Sequence, residues 1–182
     1  MARVFLSLGS NLGDRLQSLR RAVGLLTATE GVRFLEVSRV YETEPWESAP
    51  GQIVNRAGWF LNCVVAIETT LSPAALLERI HQIENALGRV RSAASLEASR
   101  YESRTLDIDI LLYGEQVISA PDDLHVPHLL MHERGFVLKP LAELAPELEH
   151  PVLYRTVREL LEELEDDRQV LPAELPMRWF EP

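Results

Sequence analysis

Arg3 to Leu8 is a short apolar run that reads as a strand, and it ends at Gly9-Ser10-Asn11. From Asp14 to Thr29 the spacing changes to that of a helix, with Leu16, Leu19, Val23 and Leu26 recurring on one side. Gly31 breaks this pattern, and Val32 to Tyr41 is rich in β-formers. Glu42 to Arg56, with Pro45, Pro50 and Gly51, predicts a long loop of the kind that compact domains keep for function. Gly58 to Thr69 reads as a strand. Ser72-Pro73 then supplies an N-cap and a proline at the first helical position, predicting a helix to about Leu87 that stops at Gly88. Arg89 to Ser103 is a second long loop, polar and arginine-bearing. In the strand predicted over Thr105 to Tyr113, Leu106, Ile108 and Ile110 share one face and Asp107 and Asp109 the other. Gly114-Glu115 turns the chain into a short strand around Val117. The chain is then irregular through Pro127 and His128, before helices over Phe136 to Leu144 and Val157 to Glu165.

The order strand, helix, strand, strand, helix, strand is the split β-α-β arrangement of a ferredoxin-like α+β sandwich. The expectation is an antiparallel sheet with helices on one face, extra C-terminal helices, and both long loops free at the other face or its rim. Residues 1–165 form the single domain of this reading. Residues 166–182 form a C-terminal tail that packs on the surface or wanders.

Composition changes this picture little. A chain of 182 residues, 46% apolar and 25% charged, is long enough to bury a core without disulfides and shows no sign of a long unfolded region. Cys63, the single cysteine, lies in an apolar strand and reads as a small buried hydrophobe in a reducing compartment. No run is apolar for long enough to span a bilayer, and the N-terminal run is too short for a signal peptide, so a cytoplasmic protein is expected.

Charge adds a functional clue. The formal net charge of -10 opposes broad binding of nucleic-acid phosphates. The bases nonetheless cluster at Arg89, Arg91, Arg100 and Arg104, while Glu143 to Asp167 is rich in acid. An anionic ligand is therefore met locally.

Asp107 and Asp109, two apart on a strand, emerge on one face, and carboxylates that close repel unless a cation lies between them. Magnesium suits the pair, because one or two protein carboxylates usually suffice for it when substrate phosphates and water complete the shell. An Asp-x-Asp pair alone is more often a solvated sheet edge. The arginines just upstream change that balance, since acids for metal and guanidiniums for phosphate are the parts phosphoryl transfer requires. No Gly-x-x-x-x-Gly-Lys-Ser/Thr sequence is present, so side chains rather than a P-loop must hold the phosphates.

Five ordered motifs carry a resemblance: Gly9-Ser10-Asn11-Leu12-Gly13-Asp14-Arg15, Gly88-Arg89-Val90-Arg91, Arg104-Thr105-Leu106-Asp107-Ile108-Asp109-Ile110-Leu111, Val126-Pro127-His128 and Arg134-Gly135-Phe136. From about Val4 to about Pro151 the chain resembles the 6-hydroxymethyl-7,8-dihydropterin pyrophosphokinases of folate biosynthesis. The resemblance implies a ferredoxin-like fold and transfer of the β,γ-diphosphate of ATP to the pterin hydroxymethyl group, with release of AMP and with two magnesium ions. It implies that Asp107 and Asp109 bind both ions and that Arg89 and Arg104 stabilise transition-state charge, with Glu84, Arg91, His128 and Arg134 at the nucleotide. The pterin falls to Thr43, Phe60, Asn62 and Phe136, which together offer an aromatic face and an amide for its polar edge. Trp46 stands in the first long loop where relatives carry other apolar residues, and the resemblance makes it a candidate to close over the ring.

Two departures stand out. Arg100-Tyr101-Glu102-Ser103-Arg104 replaces the Arg-Trp-Gly-Pro-Arg common among relatives, and Leu129 replaces a tyrosine often found after the histidine. The partners expected are small molecules only, ATP and the pterin, with no nucleic acid and no membrane, acting on a monomer. A sheet that stacks single-stranded RNA is the chief alternative from another class, and the acidic charge and the carboxylates oppose it. A relative that has lost turnover is opposed by the intact acids and arginines. A kinase for another small aromatic alcohol is separable only by substrate tests.

Overall fold

A computed structural model describes residues 1–46, 55–88, 105–120 and 124–181. Arg89, Arg91, Arg100 and Arg104 lie outside the described residues, as do the middle of the first long loop and the whole of the second.

The elements follow in the order β1 (Ala2–Ser10), α1 (Arg15–Thr27), β2 (Val32–Val37), β3 (Tyr41–Thr43), β4 (Phe60–Thr69), α2 (Pro73–Ala86), β5 (Asp107–Tyr113), β6 (Ile118–Ser119), β7 (His125–Val126), α3 (Gly135–Leu144), α4 (Val157–Glu162) and β8 (Val170–Pro172). Capping chemistry sets the helix ends where the sequence places them. Asp14 accepts the N–H of Gln17 at the head of α1, and Ser72 accepts that of Ala75 at the head of α2, with Pro73 next to it. Gly88, at φ 97°, takes the left-handed conformation that stops α2.

The main sheet is antiparallel throughout, in the order β5-β1-β4-β3-β8, with β2 pairing the other half of β4. Antiparallel strands alternate sides, so β1 sends Val4, Leu6 and Leu8 to one face and Phe5 to the other. The first face carries α1 and α2 through Leu19, Leu26, Leu76 and Ile80. The second carries α3 and α4 through Val137, Leu138, Leu141 and Val157. Helices on both faces correct the expectation of one covered face. The cause is visible in β4, where Val64 and Ala66 are as apolar and as buried as Cys63 and Val65 between them, so each face needs a cover. Cys63 is fully buried and burial raises its thiol, which makes it a packing residue.

Three smaller differences concern the ends of elements. The short strand falls on Ile118–Ser119, one residue beyond exposed Val117, and pairs with His125–Val126 in the stretch expected to be irregular. The last helix ends at Glu162 rather than Glu165. The tail neither wanders nor merely lies on the surface: β8 pairs with β3, and Trp179 is only 1% exposed and donates its indole N–H to the carbonyl of Ser38 over 2.9 Å.

Candidate active site

Strand register brings the predicted residues together. Asp107 is opposite Gly9 across β1 and β5, Gly9 is opposite Asn62 across β1 and β4, and Asn62 is opposite Tyr41 across β4 and β3. Paired residues in a ladder project to one side, so Asp107, Asn62 and Tyr41 share the face that carries α3. Thr43 and Phe60 form the adjacent pair on that face, and Asp109, opposite Ser7, lies one step along β5. Two interstrand spacings, roughly 10 Å, separate the backbones at Asn62 and Asp107.

Asn62 and Thr43 are both almost fully buried, and the Asn62 amide nitrogen donates to Thr43 Oγ1 over 2.6 Å. That bond orients the amide. It is possible because Gly9 has no side chain: a Cβ there would stand 2.6 Å from Asn62 Oδ1. Asp107 and Asp109 are half-buried.

Among the described strands β5 lies at the edge of the sheet, and contacts from α2 and from β1 fix it. The Glu84 carboxylate, 1% exposed on α2, accepts the N–H of Ile108 between the two aspartates over 3.0 Å. Ser10 donates its hydroxyl to the carbonyl of Thr105 just ahead of them over 2.6 Å. Glu84, predicted at the nucleotide, thus reaches the acid-bearing strand from the opposite helical layer and acts on its backbone. His128 donates its backbone N–H to Leu111 two residues beyond Asp109, over 2.9 Å, and its Nδ1 accepts the N–H of Leu130.

The aromatic wall stands at the head of α3. Phe136 meets Trp46 edge-on with ring centroids 6.2 Å apart. The Arg134 guanidinium, expected along the triphosphate, lies against both rings, at 5.7 Å from Trp46 and 5.6 Å from Phe136. At the far end of α3, Glu143 accepts the hydroxyl of Tyr41 and the guanidinium of Arg39. Burial, then the Glu143 hydrogen bond, pushes the Tyr41 phenol up to about 12, so it stays protonated and keeps α3 tied to β3.

Two clusters of chemistry therefore share one face: a carboxylate pair on the edge strand, and a buried amide and hydroxyl beside an aromatic wall. Among the described residues no group of three or more His, Cys, Asp or Glu side chains is placed to hold a metal by itself. The acid pair fits a cation whose remaining ligands come from a bound anion or water. The sequence reading missed Ser10 and Glu84 as supports of the acid strand. Their signal was the small polar residue ending β1 and an acid on the buried side of α2. It also missed Asp166 and Arg168, which nothing in an acid-rich stretch distinguishes from a solvated face.

The chain is similar to several known proteins. Residues 5–146 match the family model described as 7,8-dihydro-6-hydroxymethylpterin-pyrophosphokinase (HPPK). A 2-amino-4-hydroxy-6-hydroxymethyldihydropteridine pyrophosphokinase of Methylorubrum extorquens is 45% identical over 166 residues, 91% of this chain and 95% of the relative. Its Bacillus subtilis namesake is 44% identical over 147 residues, 80% of this chain and 79% of the relative. The folic acid synthesis protein fol1 of Schizosaccharomyces pombe is 38% identical over 88% of this chain, which spans only 20% of that longer protein. Among solved structures, Plasmodium falciparum HPPK-DHPS wild type with SDX-DHP is similar in fold at a TM-score of 0.64 and 19% identity, over 90% of this chain and 43% of that one.

Proposed function

Because the chain belongs to the 7,8-dihydro-6-hydroxymethylpterin-pyrophosphokinase family, we propose that it transfers the β,γ-diphosphate of ATP to the hydroxymethyl group of 6-hydroxymethyl-7,8-dihydropterin, in folate biosynthesis. The observation that carries the reading is the row Asn62, Gly9, Asp107 across three strands. A heterocycle paired to the amide would lie about two interstrand spacings, roughly 10 Å, from the acid pair, within reach of a nucleotide phosphate held there through metal.

In this reading the Asn62 amide and the Thr43 hydroxyl pair with the donor and acceptor edge of the pterin, with Phe60, Phe136 and Trp46 against its faces. Asp107 and Asp109 would hold the two magnesium ions that accompany ATP. The chemistry such ions would supply there is neutralisation of phosphate charge and a lowered pKa for the substrate hydroxyl. That hydroxyl oxygen forms its bond to the β-phosphorus as the bond from the β-phosphorus to the α,β-bridging oxygen breaks. AMP leaves, and the hydroxyl proton goes to solvent. Arg89 and Arg104 take up charge developing on the transferred group, with Arg91, His128 and Arg134 along the nucleotide. Glu84 holds the acid strand in place for the same nucleotide. For Arg89 and Arg104, guanidinium geometry suits the uptake of that charge better than ammonium does.

The acidic charge opposes a nucleic-acid partner and the single buried cysteine fits a reducing cytoplasm, where the enzyme of this reading acts as a monomer on small molecules, away from the membrane. No helix among the described residues is long and apolar enough to cross a membrane.

The test is product identity. Purified protein is incubated with ATP, magnesium and 6-hydroxymethyl-7,8-dihydropterin, and the nucleotide released is identified by chromatography. AMP, dependent on both the pterin and magnesium, is the expected product. ADP, or no turnover with the pterin, overturns the assignment.

A further inference from the structure

The carboxylate of Asp166, whose side chain is 3% exposed, holds two parts of the molecule at once. Its Oδ2 accepts the N–H of Gly135 at the first turn of α3 over 3.0 Å, next to Phe136. Its Oδ1 takes Arg168 Nη1 over 3.0 Å. The guanidinium carbon of Arg168 lies 4.2 Å from the centre of the Trp46 ring, closer than that of Arg134. Arg168 Nε is buried and has no hydrogen-bond acceptor among the described residues, and the guanidinium to which it belongs lies over the electron-rich indole face. The neighbouring backbone is tied on both sides: Glu44 donates its N–H to the carbonyl of Gln169, and Gln169 donates its N–H to the Glu44 carboxylate.

We propose that Arg168 is a positioning residue for the heterocycle site, holding Trp46 against Phe136 so that the C-terminal segment sets affinity for the pterin. This deepens the reading of the site given above and rests on it. The segment lies beyond residues 5–146, the stretch matched to the family. Asp166 is the common anchor: it fixes the head of α3, which carries Phe136, and it fixes the guanidinium that covers Trp46. The two aromatic walls are thereby held by one carboxylate. Arg168 need not touch the substrate, since its effect passes through the indole.

The experiment is steady-state AMP release at saturating ATP and magnesium for the wild type, Arg168→Ala, Arg168→Lys, Trp46→Ala and the Trp46→Ala/Arg168→Ala double variant, with melting temperatures alongside. Loss of a desolvated stacking contact raises the KM for the pterin roughly tenfold in Arg168→Ala and leaves kcat within about twofold. Arg168→Lys keeps a cation for Asp166 and hence the fold, but lacks the planar face, so its KM also rises. On the Trp46→Ala background the arginine substitution adds nothing, which a purely structural role would not produce. Wild-type turnover with an unchanged KM in Arg168→Ala and Arg168→Lys overturns this inference alone. So does a full additional effect in the double variant. A wild type that does not turn over the pterin overturns the site reading and this inference with it.

Discussion

Gly9 leaves the space that the Asn62 amide fills: a Cβ on Gly9 would come within 2.6 Å of Asn62 Oδ1, and Asn62 is itself pinned to Thr43 by a 2.6 Å hydrogen bond. The side chain that must give way is short and committed, so a methyl group there displaces the amide. Gly9→Ala is expected to raise the KM for the pterin by roughly tenfold or more while the sheet still forms. Circular dichroism checks the fold and AMP release the KM. An unchanged KM would mean that the amide does not meet the substrate.

Glu84 separates two roles that sequence alone merges. Its carboxylate accepts the N–H of Ile108, between the two aspartates. Glu84→Ala leaves that N–H unpaired in a buried place, at a cost of about 1–3 kcal/mol, and loosens the strand that positions the acids. Glu84→Gln keeps an acceptor and is expected to unfold close to the wild-type denaturant midpoint. Urea unfolding of the two variants checks this; equal losses in both would contradict it.

His150 predicts a pH dependence of stability. Burial, and then the neighbouring His132, lower its pKa from the ordinary 6.5, and its Nδ1 accepts the N–H groups of Val152 and Leu153. The unfolded chain therefore takes up a proton at a pH where the folded chain does not. Stability from this source is intact above about pH 6.5 and falls as the pH drops from there toward the folded value. Glu68 and Glu159, held below the ordinary 4.5 mainly by Arg33 and by the N–H of Thr156, contribute stability that is lost only at lower pH. Melting temperatures at about pH 7.5 and about pH 5.5 should differ more in the wild type than in His150→Gln.

Trp179 ties the tail to the body of the fold by burial and by its bond to Ser38. Trp179→Ala is expected to destabilise the protein by about 3–5 kcal/mol, measurable by urea unfolding. A loss under about 1 kcal/mol would mean that the tail is dispensable for stability.

What was legible in the sequence was local. The caps at Asp14 and Ser72, the stop at Gly88 and the shared face of Asp107 and Asp109 each depend on neighbours within a few residues. Most of what was missed depends on distant partners. Val170–Pro172 is too short and too proline-bound to announce a strand, and it exists because β3 offers an open edge. The covering of both faces was available in the unbroken apolar run of β4, where alternation fails because neither side meets water. Arg168 and Trp46 lie far apart in sequence, and no spacing rule joins them.

The central claim is that the carboxylates of Asp107 and Asp109 carry the metal through which ATP is engaged. Asp107→Asn and Asp109→Asn keep the size of each side chain and remove its charge. The decisive measurement is pterin-dependent AMP release by these variants across a magnesium titration, with unfolding curves to show that each is folded. The account predicts that AMP release falls by roughly a hundredfold or more in each. AMP release at the wild-type rate and magnesium dependence in either folded variant would contradict it.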